Sequence, residues 1–219
     1  MKTTGIPSFQ TPLIIRTRFA AIALLLSCVF NVAFNWVDYQ FMSSLADAPP
    51  ATYQDMVKLK AENGWWTQMF NLYAFFTILA IVAVCLWFYR ANDNLWLHFD
   101  DLEFKPSWAV GWFFVPVACF YIPLRVMREI FSRSLQLDRR EIYDDPRILA
   151  WWLFYWLPTL FSIIIGFRAP QEESSQIYFL IENSWQGPVF ALLLFVPAVL
   201  LFLIMRDVTR MQDNNLKQH

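Results

Sequence analysis

Five stretches of this chain run for 18 to 23 residues without a charged side chain: Phe19–Val37, Thr67–Tyr89, Ser107–Leu124, Ile148–Phe167 and Trp185–Met205. A hydrocarbon core of roughly 30 Å is crossed by about 20 residues of α-helix. Inside it every backbone amide must be paired within its own segment, so runs of this length predict helices rather than strands. The stretches between the runs are too short to fold as independent soluble cores, and a single membrane domain over residues 1–219 is expected.

The middle run differs from the others. Pro116 and Pro123 lie inside it and Pro106 just before it, and an internal proline removes a helical hydrogen bond and clashes with the preceding turn. Charge points the same way, because Lys and Arg near span ends are retained in the cytoplasm. With five spans and the N-terminus inside, including Lys2, Arg16 and Arg18, 6 basic residues fall inside and 11 outside; the reversed orientation gives 11 and 6. If 107–124 enters and leaves on one side, the count becomes 14 inside against 3 outside. The fold expected is therefore all-α and integral to the membrane. It has four transmembrane helices at about 19–37, 67–89, 148–167 and 185–205, a proline-broken re-entrant or interfacial segment at 107–124, and both termini cytoplasmic.

Aromatic residues agree with this threading. Trp36, Trp65, Trp66, Trp87, Trp151, Trp152 and Trp185 sit near predicted span ends, where an indole prefers the headgroup layer. Twenty-two Phe and only five Gly, in a chain 58% hydrophobic, predict packing by large side chains rather than close small-residue crossings. At the N-terminus, Leu25-Leu26-Ser27-Cys28 loosely resembles a lipoprotein cleavage box. The apolar run continues to Val37, which favours an uncleaved first span.

Candidate chemistry is sparse. No ionisable side chain lies inside the four spans, which argues against an ion-coupled pathway. Asn31 and Asn35, one turn apart on one helix face, are expected to bond a neighbouring span, with a polar permeation path as the alternative; Asn71, Thr77, Thr159 and Ser162 are the other polar residues of the spans. His98 and His219 lack a second ligand at metal spacing, and Cys28, Cys85 and Cys119 form no paired motif, so no metal or cofactor is implied. Nor is there a base beside a hydroxyl or thiol to activate it. Of the loops expected outside, the first carries Asp47, Pro49 and Pro50, then a helix start at Thr52 with Asp55 and a stop at Gly64. The second places Glu172, Glu173 and Glu182 around an apolar stretch from Ile177 to Ile181.

The region from Arg90 to Arg147 is more distinctive. Residues 125–138 have helical periodicity, with Arg125, Arg128, Glu129, Arg133 and Gln136 on one face and Val126, Met127, Ile130, Phe131 and Leu137 on the other. Such a helix lies on the inner leaflet, where its guanidinium groups match phosphate oxygens. Arg90, Asp93 and Asn94 come directly after the second span, with Arg90 expected at a helix C-terminus. A hairpin that folds back brings Arg90, Asn94 and Arg125 near one another, the place expected for a ligand.

The order of parts in this region resembles a bacterial membrane family catalogued as domain of unknown function 4328. The parts are Trp87 to Arg90, the Asn94-Leu95 pair, Pro106 to Trp112, Val115-Pro116, then Pro123 to Glu129 and Ser134. The resemblance implies a multi-span protein of a bacterial cytoplasmic membrane and brings no activity. It groups Arg90, Asn94, Trp108, Trp112, Pro116, Pro123, Arg125, Arg128 and Glu129 as one unit. The acidic His98 to Phe104 departs from the neutral or basic linker expected there.

Three function classes are compatible with these features. The leading expectation is a non-enzymatic accessory, sensing or scaffolding module whose partners are membrane lipids, another membrane protein or a second copy of itself, and not nucleic acid. Its ligand residues are Arg90, Asn94, Arg125, Arg128 and Glu129, binding anionic lipid or phosphate, with Trp108, Trp112, Pro116 and Pro123 as a structural motif. The second class is a small transporter or channel subunit with a broken-helix site at Pro116 and Pro123. An enzyme acting on lipid headgroups, the third, needs Glu129, Asp93 or His98 as its acid or base.

Overall fold

A computed structural model describes residues 12–216; Lys2 and His219 lie outside them. Among the described residues the regular structure is helical throughout. It comprises α1 (Ile14–Ser44), α2 (Tyr53–Glu62), α3 (Gly64–Trp96), α4 (Pro106–Gly111), α5 (Ile122–Leu137), α6 (Pro146–Gly166), α7 (Glu173–Glu182), α8 (Gln186–Leu193) and α9 (Phe195–Leu216). Four segments are long and apolar enough to cross a membrane: Ile14–Ser44, Gly64–Trp96, Pro146–Gly166 and Gln186–Asn215. By length and composition the chain is a multi-pass membrane protein. Ile78, Phe75, Leu153 and Ile164 on these helices are exposed, as side chains that face lipid are.

The helices outrun the apolar runs that announced them. α1 and α3 extend by several residues at both ends, so Arg90, expected at a C-terminus, lies six residues before the end of α3 and pairs with Asp93 one turn on. The last span is interrupted at Leu194. Pro197 has no N–H to offer Leu193 and its ring crowds that carbonyl, which separates α8 from α9. The thiol of Cys28 points at the Leu194 carbonyl, 4.0 Å away.

The third run is not one helix. α4 gives way to 3₁₀ turns at Trp112–Phe114 and Ala118–Phe120 before α5 begins. Val115, which precedes Pro116, is extended at φ −89° and ψ 119°, the conformation a following proline imposes. Val117 then adopts φ 67° and ψ −49°, and the Ala118 N–H donates to the Pro116 carbonyl at 2.8 Å, closing a strained γ-turn. Pro123 breaks nothing, because it falls in the first turn of α5, where its missing N–H has no helical partner to lose. α5 thus starts three residues before the expected Arg125 and ends at Leu137.

The chain divides into two compact units. The unit formed by residues 22–80 and 151–199 is packed by aromatic rings. Phe30 stacks on Phe76 with centroids 4.5 Å apart, and Phe34 contacts Trp66, Phe70 and Tyr73. Asp38 accepts from Lys60 Nζ at 2.6 Å and from Trp66 Nε1 at 2.7 Å. The Asn35 amide, expected to bond a neighbouring span, donates instead to Asn31 within α1, and a Cβ on Gly187 would stand 2.7 Å from Asn35 Oδ1, so a larger side chain there would have to displace the Asn35 amide. Thr52 caps α2 through the Asp55 N–H as expected, but the helix stops at Asn63, whose side chain caps α3 at Trp66. Ile177 and Ile181 of α7 pack on Met42 and Met56, which accounts for the apolar stretch among the acidic residues.

The other unit holds residues 12–21, 81–150 and 200–216 of the described chain, and with them α4, α5 and most of the buried polar side chains.

Candidate functional site

Burial explains how α5 is seated. Leu124, Val126, Met127, Ile130, Phe131 and Leu135 are buried, and the arginines lie on the remaining, partly exposed face. Its end is a Schellman-type turn: Arg139 takes φ 57°, and the Arg140 N–H reaches the Leu135 carbonyl at 2.9 Å.

The acidic linker before α4 is fastened along this polar face. Asp101 pairs with Arg133 at 2.6 Å, and Glu103 pairs with Arg125. Glu129 accepts from the backbone N–H groups of Glu103, at 2.6 Å, and Phe104, at 3.3 Å. Burial pushes the Glu129 carboxyl above the usual carboxylate range, and the two amides offset that only in part. Trp96 Nε1 donates to the Phe104 carbonyl at 2.9 Å, and the Arg125 guanidinium lies over the Phe104 and Tyr121 rings. The acidic residues that looked out of place in the sequence are thus counter-charges for α5.

Between this linker, α5 and residues 142–148 lies a cleft of about 430 Å³, within the range of small-ligand sites. Arg125, Arg128, Glu129, Glu103, Asp144, Tyr121 and Tyr143 line it, with Ser132 and the apolar Phe131, Ile142 and Ile148. Arg128 is 3.5 Å from Asp144, too long for a firm hydrogen bond, and its Nε is buried without a partner. The chain leading into Tyr121 carries exposed apolar side chains, Phe114, Val117 and Phe120.

A second feature of the same unit is a buried polar centre. Thr17 and Thr209 hydroxyls meet at 2.6 Å, and Trp87 Nε1 donates to Thr17 at 2.9 Å. Gln212 accepts from Asn94 at 3.1 Å and donates to the Ala91 carbonyl and to Ser134 Oγ, which itself donates to Ile130 of α5. Asp145 caps α6 through the Arg147 N–H at 2.9 Å and also holds the Arg147 guanidinium, which reaches Asp207. Burial tends to raise the Asp145 carboxyl, but the hydrogen bonds and charge of Arg147 outweigh it and hold the group below its usual range.

Of the expected ligand residues, Arg125, Arg128 and Glu129 come together in the cleft. Asn94 does not line it and is fully buried in the amide network, and Arg90 is engaged with Asp93. Trp108 and Trp112 face each other at 4.9 Å, with Gly111 leaving room for the Trp108 ring. Thr17, Thr209 and Gln212 are not legible in the sequence because they lie outside or at the edge of the apolar runs. Among the described residues no group of three or more His, Cys, Asp or Glu side chains is placed to hold a metal.

A family model described as "Domain of unknown function (DUF4328)" matches residues 49–212. No curated protein and no solved structure matches the chain.

Proposed function

The chain belongs to the family described as a domain of unknown function, DUF4328, and from that premise we propose that it is a non-enzymatic membrane module which binds the phosphate-bearing headgroup of a lipid in the α5 cleft. One observation carries this reading. Two guanidinium groups, Arg125 and Arg128, face a common cleft, and Arg128 is only loosely paired, beside a chain segment that exposes Phe114, Val117 and Phe120. Guanidinium forks match phosphate oxygens, and apolar side chains beside them suit the acyl region. The distribution of basic residues supports a cytoplasmic cleft in a bacterial inner membrane, with both termini inside and residues 107–124 re-entrant or interfacial. Aromatic filling in the other unit, such as the Phe30 and Phe76 stack, supports a scaffold over a permeation path.

The test is lipid retention. Replacing Arg125 and Arg128 by Ala and purifying the protein under identical detergent washing should lower co-purified phospholipid by at least about tenfold in affinity terms, as expected for loss of charge-assisted hydrogen bonds. Unchanged lipid content in the folded double variant contradicts the reading.

A further inference from the structure

The cleft contains two guanidinium groups but three carboxylates, those of Glu103, Glu129 and Asp144. A purely anionic headgroup entering it would meet a surplus of like charge. The carboxylates also keep acceptor capacity beyond their present bonds: Glu103 uses one oxygen on Arg125, and Asp144 stands 3.5 Å from Arg128 and is largely exposed. Two tyrosines complete the wall: Tyr121 carries the Arg125 guanidinium over its ring, and Tyr143 presents an exposed ring suited to a further cation.

Resting on the lipid reading above, the geometry points to a zwitterionic ligand, a phosphate ester carrying a primary ammonium, as the occupant of this cleft. Its phosphate lies against Arg128 and Arg125. Its ammonium, a donor of three hydrogen bonds, is received by Asp144, Glu103 and the Tyr143 ring. A quaternary ammonium has no N–H to donate, and a glycerol headgroup has no cation. The cleft therefore discriminates among phospholipids by the alcohol esterified to the phosphate rather than by the phosphate itself.

The experiment uses the purified full-length chain, stripped of lipid in detergent, and native mass spectrometry to monitor bound phosphatidylethanolamine, phosphatidylcholine and phosphatidylglycerol of identical acyl chains. The wild type should bind phosphatidylethanolamine about tenfold more tightly than either competitor, the amount one or two charge-assisted hydrogen bonds supply. The Asp144→Asn and Glu103→Gln double variant should bring phosphatidylethanolamine and phosphatidylglycerol to within about twofold of each other. Asp144→Asn alone, at an exposed position, should move in the same direction if the double variant folds poorly. Equal or tighter binding of phosphatidylglycerol by the wild type overturns the inference. If headgroups are not distinguished yet Arg125→Ala with Arg128→Ala still loses lipid, this inference fails while the lipid reading stands. Full lipid retention by the arginine variant removes both.

Discussion

Gln212 shows how much a single amide holds in place. It accepts from Asn94 and donates to Ala91 and Ser134, so three chain segments meet on one side chain. Gln212→Ala removes these three buried hydrogen bonds at once and should cost roughly 3 kcal/mol, lowering the melting temperature by about 6–12 °C. Asn92 is the contrast: fully buried, with neither amide atom hydrogen-bonded. Asn92→Leu loses no bond and should melt no lower than the parent, since replacing an unsatisfied polar group by an apolar one of similar shape is neutral or stabilising. A scanning-fluorimetry series in detergent separates the two, and equal destabilisation would contradict this account. Glu129 gives a pH-dependent case. Its carboxyl is raised in the folded state, so the proton it holds favours folding at low pH, and that contribution disappears as pH rises through the raised value. Glu129→Gln keeps one acceptor oxygen where the carboxylate offers two, so at neutral pH it should melt above Glu129→Ala. Glu129→Ala, which strips the acceptor from the Glu103 and Phe104 amides, should melt lower than the parent.

At the scale of elements, the break in the third apolar run is a conformational statement about Pro116 and Val117. Pro116 forces Val115 to be extended, and the γ-turn after it puts a β-branched residue at φ 67°. Val117 is 82% exposed, so its side chain has little packing to set against the strain. Val117→Gly should therefore raise stability by about 1–2 kcal/mol, read as a higher melting temperature; a fall would mean the valine is held by contacts the turn needs. Much of this level was legible in the sequence. Uncharged runs gave the four spans, because length and apolarity are what a bilayer demands, and Pro116 gave the break. Pro123 misled because the same residue type that interrupts a helix also starts one, and only its position in the turn decides. Helix ends were underestimated at α1 and α3, since the chain stays helical through charged residues once a span is formed. The break at Leu194 and the amide network were missed for a shared reason: apolarity hid the one and polar tail sequence the other, and neither property reports which helix lies alongside.

For the molecule as a whole, the sequence correctly brought Arg125, Arg128 and Glu129 to one place, because helical periodicity puts them on one face. What it did not disclose is the role of the acidic linker, whose Asp101 and Glu103 are the partners of Arg133 and Arg125. Those pairings reach across 32 and 22 residues of chain, a distance at which local pattern carries no information. The proposed function requires residues 90–147 to lie on the cytoplasmic side, where the cleft meets the inner leaflet. That claim is tested most directly by replacing Cys28, Cys85 and Cys119 with Ala and placing single cysteines at His98, Gln136 and Asp47, all exposed positions. Intact cells are then treated with a membrane-impermeant maleimide. A cytoplasmic cleft predicts labelling at Asp47→Cys alone, with His98→Cys and Gln136→Cys reacting only after the cells are opened. Labelling of either in intact cells contradicts it.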